Sequence, residues 1–279
     1  MDCRIAYFAK KERRVKPVFD IAGEAGKTDA VLCEWGETYC CVAAYDREAG
    51  ILHSLRYFTL EGKASVWEVN AVLDALQDLG GADMPLILCA AFPEAVLVPK
   101  KFYSADAPYL PVIHDSPGQP LADHVGEWQL VNTYAVPALI RDGVAARFSS
   151  VRYYHAFTPC LKVYNGIAEP DQVDLHFSPS QFRLVVKRGG QLVLAQMYRY
   201  QAPLDVVYYL LKIFGELGLP RDQTVVVVSG LVEESSGLYS ELHQFVPDLR
   251  FAPSPTISLQ SDQPAHFFTS LSNLAACAS

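Results

Sequence analysis

One order of elements occurs twice along this 279-residue chain. Three strand-forming runs, Ala30 to Trp35, Tyr39 to Tyr45 and Ile51 to Phe58, are separated by turns at Gly36 and at Asp46 to Gly50. About 142 residues later the meander returns. Val173, Leu175 and Phe177 alternate with Asp174 and His176, the period-2 mark of a half-buried strand, which predicts Asp174 on the solvent side. Phe182 to Val186 and Leu192 to Tyr200 follow, joined through Gly189-Gly190, a dipeptide suited to the positive φ of a tight hairpin.

Each meander leads into an amphipathic helix. Val69, Val72, Leu73, Leu76 and Leu79 in the first match Val207, Leu210, Leu211, Phe214 and Leu217 in the second, every pair 138 residues apart. That spacing puts five apolar side chains on one face, and Gly80 and Gly218 are placed to cap the two helices. Short, almost uniformly apolar runs follow at Pro85 to Ala91 and Thr224 to Ser229, as expected of central strands covered on both faces. The second copy continues with a helix near Ser236 to Phe245, a strand at Leu249 to Ala252 and a helix bearing Phe267, Phe268, Leu271 and Leu274, giving the order βββαβαβα. In the first copy Val125 to Val131 reads as a strand or a helix start, and Val136 to Phe148 and Phe157 to Tyr164 as helices. Tyr103 to Glu127, with Pro108, Pro111, Pro117 and Pro120, is predicted to be a long surface loop, and Asn165 to Pro170 the linker between lobes 1–168 and 169–279.

Composition narrows the partners. The net charge of −8 opposes a phosphate backbone, and the one basic run, Lys10 to Lys16, reads as a solvated end, so no nucleic acid is expected. No stretch approaches the ~20 apolar residues of a membrane span, and Met1 to Arg4 lead into no apolar run before Lys10, which predicts a cytoplasmic protein. The seven cysteines form no CxxC pair and are read as reduced core residues. The histidines show no metal-ligand spacing; His114-Asp115 and Asp123-His124 fall in the proline-rich segment and read as incidental surface polarity. Gly23 to Thr28 has a P-loop flavour, but only two residues separate its first glycine from Gly26-Lys27, where the motif needs four.

A three-strand antiparallel meander followed by helix, strand, helix, strand, helix is the ribonuclease-H-like order, and two tandem copies resemble the actin-like ATPase superfamily. More narrowly, Leu97-Val98-Pro99, Asn132 to Pro137 and Asp205 to Leu211 resemble a bacterial family of unknown function, domain-of-unknown-function family 3822. The resemblance implies an α/β fold of two actin-like lobes, with ATP and magnesium held between them, phosphates at the first hairpin of each lobe and adenosine after the second lobe's central strand. The corresponding residues here are Glu34, Gly36 and Thr38 on the first hairpin, Ser178 on the second, and Ser229 and Gly230 after the central strand. They depart from the superfamily's Asp and Gly pattern. Glu34 and Glu37 would face a polyphosphate with like charge, and Pro179 has no N–H to donate. A ribonuclease-H-like nuclease is excluded more firmly, because the central strands end in Cys89-Ala90-Ala91 and Val228-Ser229-Gly230, without a carboxylate for two-metal chemistry.

The chain is therefore expected to be a non-catalytic adaptor or scaffold with a protein partner, resembling in this respect the actin-like platform proteins of pilus assembly and secretion. The alternative is a divergent ATPase or small-molecule kinase. Self-association is a third expectation, for which Tyr153, Tyr154, Tyr198 and Tyr200 could serve as core or as interface.

Overall fold

Alternating and uniformly apolar runs become strands of two sheets in the computed structural model, which describes residues 15–23, 26–61, 65–107, 120–163, 171–255, 257–259 and 261–278. The first lobe runs β1 (Pro17–Ala22), β2 (Ala30–Gly36), β3 (Tyr39–Asp46), β4 (Ile51–Thr59), α1 (Val66–Gly80), β5 (Leu86–Ala91), β6 (Ala95–Pro99), β7 (Leu121–Val125), β8 (Leu130–Tyr134), α2 (Ala138–Arg147), β9 (Val151–His155) and α3 (Phe157–Val163). The second runs β10 (Gln172–Phe177), β11 (Gln181–Arg188), β12 (Gln191–Arg199), α4 (Pro203–Leu217), β13 (Val225–Gly230), α5 (Gly237–Phe245), β14 (Leu249–Phe251), β15 (Ser258–Leu259) and α6 (Thr269–Ala278).

The same strand order occurs in both lobes. The first sheet is ordered β1-β4-β3-β2-β5-β9, and the second β12-β11-β10-β13-β14, so five strands correspond one for one. In both, the meander is antiparallel and the two following strands pair in parallel. Gly189 and Gly190, with φ of 54° and 74°, make the two-residue turn between β11 and β12. Helix α4 ends at Gly218 as expected, whereas α1 runs through Gly80 and takes Gly81 as its cap.

Each sheet buries its outer face under the helices whose stripes the periodicity marks. Val69, Val72, Leu73 and Leu76 of α1 join Val31, Cys33, Val42 and Leu88 in one core, with Ile140 and Val144 of α2. Val207, Leu210 and Phe214 of α4 join Val173, Leu175, Phe182 and Val226 in another, with Leu238 and Leu242 of α5. A third core lies between the lobes, where α3 and α6 pack together and Phe157, Leu161, Leu271 and Leu274 meet residues of both sheets. The chain crosses back here: β15 pairs with β4, and α6 contacts β2 and β5.

Several expectations need correction. The end of the proline-rich segment is not loop: Leu121–Val125 is β7, and with β6 and β8 it forms a separate three-stranded sheet inserted between β5 and α2. The segment Val125 to Val131 is consequently the end of β7, a 3-10 turn and the start of β8. Residues 108–119, with Pro108, Pro111, Pro117 and His114-Asp115, lie outside the described residues, as do the linker from Asn165 to Pro170, Cys3 and the basic run up to Arg14. Tyr153 and Tyr154 fall on β9, an unanticipated strand, and are half-buried, as are Tyr198 and Tyr200. Cys33, Cys40, Cys41, Cys89 and Cys160 are buried free thiols, and Cys277 is half-buried. No described helix is long and apolar enough to cross a membrane.

Candidate functional site

The β2–β3 and β10–β11 hairpins meet at the base of the cleft between the lobes. Thr38 and Ser180, 142 residues apart and thus repeat equivalents, share a hydrogen bond of 2.7 Å between their hydroxyl oxygens. The two turns that would flank a phosphate instead touch each other. Gly36 is needed for a different reason than phosphate approach: a Cβ built there would lie 2.3 Å from Cε1 of Tyr39. That tyrosine stacks on Tyr57 at 5.6 Å between ring centres and donates its hydroxyl to Glu34 Oε1 at 2.8 Å.

Glu34 is 3% exposed and also meets Arg183 Nη1 at 3.4 Å. Arg183, 6% exposed, donates through Nη2 to Ser270 Oγ at 2.8 Å and through Nη1 to the Ala156 carbonyl at 3.4 Å. Burial acts to lower the Arg183 pKa, but Glu34 together with Cys160, Tyr39 and Cys89 more than offsets it, and the guanidinium is held charged. The same burial, reinforced by Glu34, pushes the Tyr39 phenol well above its ordinary value. Arg183 therefore ties β11 of the second lobe to β2 of the first by a salt bridge and to α6 by a hydrogen bond. Gln181 adds another tie, donating to the Ala91 carbonyl at the end of β5 at 2.8 Å.

The second-lobe candidates are similarly committed. Ser178 donates to the Gln181 carbonyl at 2.9 Å. Ser229 lies 2.9 Å from His176 Nδ1, and burial, with Arg183 and His266 nearby, drives the His176 pKa well below its ordinary value, so the ring is neutral. Gly230 has φ of 79°, and a Cβ there would come 2.1 Å from the Phe177 carbonyl oxygen; the turn must be glycine because the chain passes against β10. The cavity bounded by Glu34, Tyr39, His176, Ser178 and Ser270 has about 10 Å³, room for a single water. Among the described residues no group of three or more His, Cys, Asp or Glu is arranged for a metal ion. Of the six candidates Glu34 and Ser178 line this cavity, and so small a space does not fit a nucleoside triphosphate with magnesium.

Two expectations about polar residues are overturned nearby. Asp174 does not face solvent: it is 8% exposed, 3.2 Å from Lys187 Nζ and 2.5 Å from Gln172 Nε2. The polar side of that alternation looks into the interface between lobes. Asp123 is also internal, at 8% exposure, and accepts from Tyr134, from Thr158 and from the His155 backbone, so it fastens the inserted sheet to β9 and α3. Desolvation raises its pKa above the ordinary carboxylate range. His155 donates through Nε2 to the Phe92 carbonyl while Nδ1 accepts from Phe157, and burial pushes its pKa down to about 4. Burial also raises the thiols of Cys40, Cys41 and Cys89 and lifts Cys160 to about 11, which leaves these groups protonated and without nucleophilic character at neutral pH.

Two ribonuclease-H-like lobes closed on helices α3 and α6 define the actin-like ATPase fold. The same architecture is found in a protein of that fold and of unknown function from Bacteroides thetaiotaomicron, with a TM-score of 0.72 and 13% identity, covering 89% of this chain and 95% of the other. A chain of the PilM-PilN type IV pilus biogenesis complex superposes with a TM-score of 0.59 and 13% identity over 90% and 99% of the two chains. The ethanolamine utilization protein EutJ from Carboxydothermus hydrogenoformans gives 0.50 and 11% over 91% and 92%. No curated protein matches the sequence. The family model described as protein of unknown function (DUF3822) matches residues 87–249, and the chain belongs to that family.

Proposed function

We propose that the protein is a non-catalytic, cytoplasmic adaptor or scaffold whose two lobes, 1–168 and 169–279, present a fixed surface to a protein partner. The observation that carries this reading is the contact between the hairpins: Thr38 on Ser180, and Glu34 neutralised by Arg183 where a phosphate would lie. Opening that contact for a nucleotide would strand a buried carboxylate and a buried guanidinium, a cost of several kcal/mol. The fold of PilM, a component of a pilus assembly complex, supports a role in which this scaffold holds a partner rather than turning over substrate.

Titration with ATP and magnesium, followed by thermal unfolding and phosphate release, tests the reading. A specific ligand at a hundred times its Kd would stabilise the fold by ~2.7 kcal/mol. The expected result is no stabilisation and no turnover at millimolar nucleotide. ATP turnover that disappears in Glu34→Ala would replace the adaptor with a divergent ATPase or kinase.

A further inference from the structure

The second lobe carries a groove that the interlobe site does not use. It is about 550 Å³, within the range of ligand sites, and is lined by Glu233, Glu234, Ser235, Phe251, Pro264 and His266. Its floor is built by stacking. Tyr239 of α5 lies on Phe251 at 5.0 Å and 9°, Phe251 lies on His266 at 4.3 Å and 27°, and His266 is pinned by a 2.7 Å hydrogen bond between Nε2 and the Val232 carbonyl. With Pro264 this makes a floor of stacked rings and a proline. The rim is acidic: Glu233 and Glu234 are exposed, and neither forms an ion pair among the described residues. Carboxylates just ahead of a helix start are favoured by the helix dipole whatever their use, so the pair alone would define nothing. Its place on the rim of an apolar groove does.

An apolar floor beneath a carboxylate rim complements a long side chain with an aliphatic stem and a cationic head. A phosphate-bearing ligand would meet repulsion from both glutamates. We propose that this groove binds a lysine or arginine presented by an extended segment of a protein partner, the stem lying on Phe251 and Pro264 and the charge reaching Glu233 and Glu234. This deepens the adaptor reading and rests on it.

The test uses the full chain and an acetylated glycine-serine nonapeptide carrying two arginines, followed by NMR of the His266 and Phe251 ring signals. The peptide should shift those signals at submillimolar concentration. Its citrulline counterpart, and the arginine peptide with the Glu233→Gln/Glu234→Gln variant, should bind at least tenfold more weakly, as should the native pair in 0.5 M salt. Phe251→Leu should weaken the arginine and citrulline peptides alike. Equal binding of the two peptides, no loss in the double variant, or silence at millimolar peptide would overturn the proposal. So would adenosine shifting the same rings while the arginine peptide does not. Those failures are separable from failure of the adaptor reading, whose sign is ATP turnover in the wild-type chain.

Discussion

The two sheets have one strand order but turn different chemistry toward each other. At positions 142 residues apart, Ala30, Leu32, Cys41 and Tyr45 of the first sheet correspond to Gln172, Asp174, Arg183 and Lys187 of the second. The first inner face is apolar except for Glu34, whereas the second is a ladder of buried polar groups. Outer faces are apolar in both. Duplication thus preserved what each sheet needs to hold its own helices and left the facing surfaces free to diverge, one supplying the bulk of the shared core and the other the charges that fix its registration.

Breaking the ladder on one side should have the largest effect. Arg183→Ala leaves Glu34 buried without its cation, and Lys187→Met does the same to Asp174; each should lower unfolding free energy by ~3–5 kcal/mol in urea titrations. Replacing both members with the residues of the other lobe, Asp174→Leu with Lys187→Tyr, should cost little or stabilise by up to ~1–4 kcal/mol. A double variant as damaged as the single would mean the ladder contributes more than charge compensation, and the contrast between the faces would be one of function rather than drift.

The pH response comes next in size. His155 has its folded pKa depressed to about 4 against an unfolded value of ~6.5, so unfolded chains take up its proton first and stability falls as pH drops from about 6.5 toward about 4. The full effect is about 3 kcal/mol, and His155→Gln should flatten that part of the profile. Asp123, with its pKa raised, acts in the opposite sense, costing stability as pH rises from the unfolded value through the folded one. Gly230→Ala should cost ~1–3 kcal/mol through its positive φ and the Phe177 carbonyl. Smallest is Thr38→Val, about 1 kcal/mol for one hydrogen bond between hairpins.

These outcomes bear on what the sequence alone makes readable. The helices α1 and α4 and the central strands were legible because their apolar spacing is local and repeated. The sheet of β6, β7 and β8 was not, since five-residue strands bordered by Pro93, Pro99 and Pro120 carry too little periodicity to outweigh turn signals. The joining of the two hairpins rests on Glu34 and Arg183, 149 residues apart. A partial trace existed: Glu34 is the single charge of β2, and Arg183 on β11, a strand that also carries Lys187 and Arg188, is opposite in sign. Asp174 was misread because alternation marks two faces of a strand without saying that the second also meets protein.

The return of β15 and α6 to the first lobe affects how the molecule is made. Phe267 and Phe268 reach Phe19 on β1, at 6.1 and 5.9 Å between ring centres, so β1 waits for residues beyond β14 to be synthesised. A ribosome-bound intermediate halted before Ser258 would hold that greasy flank bare, and nascent chains at this stage should be the ones that recruit chaperones.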